Sequence, residues 1–156
     1  MWRLSWVASV VYIIDQLTKY FATEYLLRQG MVEVTPFLNL VLVHNTGAAF
    51  GFLSGADGWQ NVFFIFVAVF ASIFILWMIA RLHSQEMLLA LGLMLILGGA
   101  LGNLTDRLIH GYVIDFIDVY YRTWHWPAFN IADSAISGGA VLLVMDAFGM
   151  FRHKQF

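Results

Sequence analysis

The chain has 156 residues, 61% of them apolar and 12% charged, with a net charge of -2. That charge content is about half that of an ordinary soluble domain, and a mean hydropathy of +0.77 makes lipid the natural solvent. The balance of charge excludes a nucleic-acid partner, and the absence of cysteine removes disulfides, thiolate metal sites and a thiol nucleophile.

Apolar runs predict one small membrane domain, residues 1–156, mainly α, with four transmembrane helices over about 4–21, 59–80, 87–104 and 131–150, plus a small outer β-sheet and an extra-membrane loop segment. Arg3 followed by an apolar run has the outline of a signal peptide. Asp15 and Lys19 interrupt that run and no cleavage site follows, so it is read as an uncleaved first span.

The connection from Ala22 to Gly58 contains Phe37 to His44, a β-branched and leucine-rich stretch after Pro36 that is too short to span and reads as a strand. Trp59 to Ala80, flanked by Trp59 and Trp77 and stopped by Arg81, is the second span. The third begins at Met87 after a short link. Its end is Gly98-Gly99-Ala100-Leu101-Gly102-Asn103-Leu104-Thr105-Asp106-Arg107, where Gly98 and Gly102 offer a small-residue face for close approach to a fourth-span face such as Ser134 and Gly138 or Ala135 and Gly139. From Val113 to Tyr120 the residues alternate as in a strand, with Asp115 and Asp118 on opposite faces. Arg3, Arg81, Arg152 and Lys154 crowd the side opposite the two long connections, which predicts cytoplasmic termini and outer connections.

Ionisable groups at span depth cost roughly 2.5–3.5 kcal/mol each and require a partner or a function. Asp15 and Lys19 stand i, i+4: either they neutralise each other with Lys19 reaching outward, or they orient other groups. Asn103 and Arg107 share a helix face, where the guanidinium is placed to grip a carboxylate, or they form a polar helix end with Asp106. Asn130 and Asp133 have capping-box spacing, which does not exclude a catalytic role for Asp133. Asp115 lies among apolar neighbours. If it converges with Asp133, one of the two keeps a proton and the pair supplies a general acid and a general base. Only one of Asp115 and Asp118 can face Asp133, the other being a solvated or hydrogen-bonded surface acid, and His44, His110 and His125 read as interfacial residues without metal-ligand spacing. A proton-coupled transporter using Asp15, Lys19 and Asp133 as a relay is the alternative class.

Five stretches, DQLTK (15–19), HNTGAAFG (44–51), GGALGNLTDR (98–107), GYVIDF (111–116) and FNIADS (129–134), closely resemble, in order, the motifs of the bacterial lipoprotein signal peptidases, or signal peptidase II. The resemblance spans the chain. It implies an aspartyl endopeptidase of the inner membrane that cleaves a diacylglyceryl-modified prolipoprotein before its lipidated cysteine. Asp115 and Asp133 fall on the catalytic pair. Asn45, Gly47, Asn103, Arg107, Asn130 and Ala132 fall on supporting or substrate-binding positions, and Asp15 and Lys19 match the first-span motif. The family's outer sheet and mobile segment correspond to the region from Phe37 to Phe52. No cofactor or metal is expected. The expected partners are prolipoprotein substrates and membrane lipids, with the chain acting as a monomer and its active site near the outer face.

Overall fold

A computed structural model describes residues 1–47, 59–83 and 86–150, and contains four long helices and one four-stranded sheet. Helix α1 (Ser5–Gln29) follows a short 3-10 turn and continues well past the apolar run. Ala22, Glu24, Leu26, Leu27 and Arg28 are good helix formers, Glu24 and Arg28 pair across one turn at 3.5 Å, and the helix stops at Gly30, whose amide bonds the Leu26 carbonyl. Helices α2 (Trp59–Arg81) and α3 (Met87–His110) are long and apolar enough to cross a membrane. α3 outlasts its apolar run in the same way, closing on Gly111 in the left-handed region (φ +81°). Helix α4 (Ile131–Ala147), with 17 residues, is at the lower end of spanning length.

α3 is the central helix, packed by α1, α2 and α4, and most of its length is buried. Close approach depends on its glycines, but not as the sequence pattern suggested. A side chain at Gly98 would strike the Ala8 carbonyl and Val11 of α1, and one at Gly102 the Asp15 carboxylate. The seam with α4 is made instead by Gly92 and Gly99, set against Gly139, Ala132 and Ile136, while Gly138 faces open space. The helical phase explains the correction: Gly98 and Gly102 share a face with each other, and Gly92 and Gly99 share the next one round. α2 touches little besides α3. It leaves Phe63, Phe66, Phe70 and Ile73 exposed, a surface suited to lipid and not to water.

The apolar core of Val7, Ala8, Ile75, Ile79, Leu93, Met94 and Leu97 fills the end of the bundle near the chain start. At the other end lies the antiparallel sheet, in the order β1 (Val32–Thr35), β2 (Leu38–Asn45), β3 (Val113–Tyr121), β4 (Trp124–His125). The two expected strands are β2 and β3. Their pairing, from Leu38 opposite Val119 to Asn45 opposite Val113, brings the two long connections to one side. The expected mobile segment as far as Phe52 passes outside the described residues after Gly47, as do Arg152 and Lys154 at the chain end.

Candidate active site

The polar residues of α1, α3, β3 and α4 meet where the helices reach the sheet. The core of the cluster is Lys19, 2% exposed. Its ammonium lies 2.8 Å from Asp15 Oδ2, 2.9 Å from Asp106 Oδ2 and 2.9 Å from Asn103 Oδ1, so all three donors are used inside the protein. The expected outward reach of Lys19 is therefore overturned, because two acids and an amide hold it in.

Each partner of Lys19 ties down another element. Asp15 uses its second oxygen to accept the backbone N–H of Ala132 (2.9 Å) in the first turn of α4. Ala132 thus contributes through its main chain, where a carboxylate is also favoured by the helix dipole. Asp106 accepts the Ile114 amide of β3 (3.1 Å) and the Gln16 side chain (2.9 Å). Sequence reasoning left Asp106 as a polar helix end and passed over Gln16. The available signal was the i, i+3 spacing of Asn103 and Asp106, which places both on the α3 face that meets α1.

Two asparagines carry the network onward. Asn103 accepts from Lys19 and donates to Asp133 Oδ1 at 2.8 Å. Asn130, fully buried, donates to Asp115 Oδ1 at 2.7 Å while its own oxygen accepts the Asp133 amide at 2.9 Å. Asp133 Oδ2 returns to the Asn130 amide (3.1 Å), completing the capping box. The other oxygen of Asp115 accepts from Asn45 Nδ2 at 2.9 Å. Asn45 is itself oriented by the Gly47 amide (2.8 Å), and Gly47 adopts φ +102°, which a side chain would strain and for which the nearby Phe64 ring leaves no space.

Asp115 and Asp133 line one cavity of about 410 Å³, with Val43 to Thr46 on one wall and Trp126 to Phe129 on the other. Burial, and secondarily the Asp133 charge, push the Asp115 carboxyl up to about 7 against the pull of Asn45, Asn130 and Lys19. A carboxyl poised there exchanges a proton near neutrality. Arg107 departs from the expected carboxylate grip. Its guanidinium stands over the Phe64 ring at 5.0 Å and donates to the Asn103 carbonyl at 3.4 Å, and its buried Nε has no hydrogen-bond partner among the described residues. Every named candidate except Arg107 is joined into this network by direct hydrogen bonds between side chains or to a backbone amide.

His44 was missed as a wall residue of the cavity; it stacks on Tyr112 at 4.2 Å. Asp118, expected as a solvated or hydrogen-bonded surface acid, is hydrogen-bonded but not at the surface. It is buried, accepting from Asn39 Nδ2 (2.9 Å) and facing His125 Nδ1 (2.9 Å) on the opposite face of β3 from Asp115. No three His, Asp or Glu side chains converge to hold a metal ion among the described residues.

The family model for signal peptidase (SPase) II matches residues 7–149. The lipoprotein signal peptidase of Paraburkholderia phytofirmans is 53% identical over 150 residues, covering 96% of this chain and 86% of that protein. That of Alteromonas mediterranea is 49% identical over 146 residues, covering 94% and 80%. Among solved structures, a bacterial membrane enzyme determined by the in meso method at 2.3 Å resolution superposes with a TM-score of 0.79 at 31% identity, covering 96% of this chain and 90% of that one. A second, at 1.9 Å resolution, gives 0.78 at 34% identity.

Proposed function

The chain belongs to the signal peptidase II family, and we propose that it is an intramembrane aspartyl endopeptidase that removes the signal peptide from diacylglyceryl-modified prolipoproteins, cutting before the lipidated cysteine. The observation that carries this reading is the shared cavity of Asp115 and Asp133, two carboxylates from separate elements that, among the described residues, form no salt bridge.

Asp133 accepts N–H donors on both oxygens, from Asn103 and from the Asn130 backbone, and these hold it as the base. Asp115, poised near 7, holds the proton the pair shares. A water between them attacks the scissile carbonyl as Asp133 takes its proton, and Asp115 hydrogen-bonds the developing oxyanion. Collapse of the tetrahedral intermediate sends a proton from the pair to the leaving amine, and the carboxylates return to their starting state. Asn45 and Asn130 keep the Asp115 carboxyl aimed throughout. A proton-relay transporter is disfavoured because Lys19 already spends its three donors on fixed partners.

The whole constellation comes from one chain, which supports action as a monomer. The distribution of Arg and Lys supports an orientation in a bacterial inner membrane with both termini cytoplasmic and the cavity near the outer face. A reporter fused after Phe156 is expected to be active only in its cytoplasmic form; activity outside would reverse the orientation. For the chemistry, the purified protein in detergent is incubated with a diacylglyceryl-modified prolipoprotein and with its unlipidated counterpart. Cleavage of only the first, persisting in chelator, is the expected result. Cleavage of both, or of neither, removes the substrate assignment.

A further inference from the structure

The wall of the cavity opposite β2 is formed by Trp126 to Phe129, yet the strand that delivers it, β4, has only two residues. So short a strand carries little register information of its own. Tyr120 pairs with His125 and Tyr121 with Trp124, and the Trp126 amide bonds the Val119 carbonyl at 2.8 Å. Directly opposed residues share a face of the sheet. His125 therefore lies on the Tyr120 and Asp118 face, against which its ring stacks on Tyr120 at 5.2 Å. Trp126, opposite Val119, lies on the Asp115 face, in the cavity. A slip of one residue would exchange these faces and turn Trp126 out of the wall. The local sequence Trp124-His125-Trp126 resists such a slip poorly, since either neighbour of His125 is the same bulky residue.

What distinguishes the two registers is the polar contact beneath. Asp118 presents both carboxylate oxygens to His125 Nδ1 at 2.9 Å, and its Oδ2 also takes the Asn39 side-chain N–H at 2.9 Å from β2. In the slipped register a tryptophan would cover Asp118, leaving a buried carboxylate short of a partner. We propose that the Asp118–His125 pair is a register lock for β4, making both positioning residues that set the substrate-facing wall from outside the cavity. This rests on the peptidase reading for its functional consequence, while the lock itself is a property of the sheet.

The test compares wild type with His125→Ala, Asp118→Leu and Asp118→Asn as full-length proteins in detergent. Each is measured for cleavage of lipidated substrate and for backbone hydrogen exchange over residues 124–129. His125→Ala and Asp118→Leu are expected to raise KM about fivefold or more with kcat within about threefold, since ground-state binding is lost while the dyad is untouched. Both are expected to exchange faster at Trp126. Asp118→Asn restores the lock: its oxygen accepts from Asn39 and its amide donates to His125 in the other tautomer, so KM stays within about threefold. Should Asp118→Leu fail to fold, His125→Ala still decides, because its side chain is half exposed and supports no core. Unchanged exchange and KM in His125→Ala would overturn the lock, as would a fall in kcat alone. If wild type cleaves nothing, the peptidase reading fails while the exchange data still report on the lock.

Discussion

Asp15 and Asp106 on one side, Asp115 and Asp133 on the other, are four acids within one network that meet opposite fates. The first two share an ammonium ion, each with a charge-assisted contact to Lys19 of 2.8–2.9 Å. The second two are held, among the described residues, by hydrogen bonds from amides, those of Asn45, Asn103, Asn130 and a backbone N–H. An acid paired with a buried cation has a counter-charge within contact distance. An acid oriented by neutral donors keeps a proton affinity that burial can raise. The same residue type thus sits beside a cation or beside amides according to whether its neighbour is Lys19 or an asparagine, and the proposed proton carriers are the second kind.

The contrast breaks most visibly at the carriers. Asp115→Asn and Asp133→Asn preserve shape and remove the transferable proton, so each is expected to cost about 10²- to 10⁴-fold in cleavage rate with unchanged expression. Initial rates on lipidated substrate check this, and near-normal activity in either variant would detach the dyad from the chemistry. Next in size is Lys19→Met, which leaves Asp15 and Asp106 buried without a counter-charge and is expected to cost about 3–5 kcal/mol. Thermal unfolding in detergent measures it. Adding Asp15→Asn and Asp106→Asn should recover part of the loss, and failure to recover any would mean that the three groups are not electrostatically coupled.

The pH response sharpens the comparison further. Asp115 titrates near its ordinary 3.8 in the unfolded chain and at about 7 in the folded one. Between those values the folded state binds more protons, so this group's contribution makes stability fall as pH rises through the window. Asp115→Asn removes that contribution, and its Tm is expected to gain on wild type from about pH 4 to about pH 7. A constant difference between the two melting curves would show that Asp115 is not shifted. The smallest effect is expected for Gly102→Ala, whose methyl group presses on the Asp15 carboxylate held by Lys19 and Ala132, at about 1–3 kcal/mol by unfolding.

Much of the fold is legible in the sequence. Spans, the strands at Phe37 and Val113, and the candidate pair followed from apolar run length, alternation and motif order. What was not legible depended on rotation about helix axes. Gly98 and Gly102 looked available to α4 because spacing reveals that residues share a face, not which helix the face meets. Lys19 looked free to reach water because its second acid, Asp106, is distant in sequence and arrives only when α1 docks on α3. Asp118 looked exposed because strand alternation gives two faces without saying whether a neighbouring strand covers one. Its cover is His125, on a two-residue strand too short to carry a pattern.

Asn130 has one last consequence. Its side-chain oxygen starts α4 and its side-chain nitrogen aims Asp115, while the residue that closes the cap is Asp133 itself. Fraying the first turn of α4 therefore dismantles both halves of the proposed dyad at once. On the proposed reading, a molecule with that turn frayed has neither carboxylate in place, so folding of the α4 start and assembly of the site are one event.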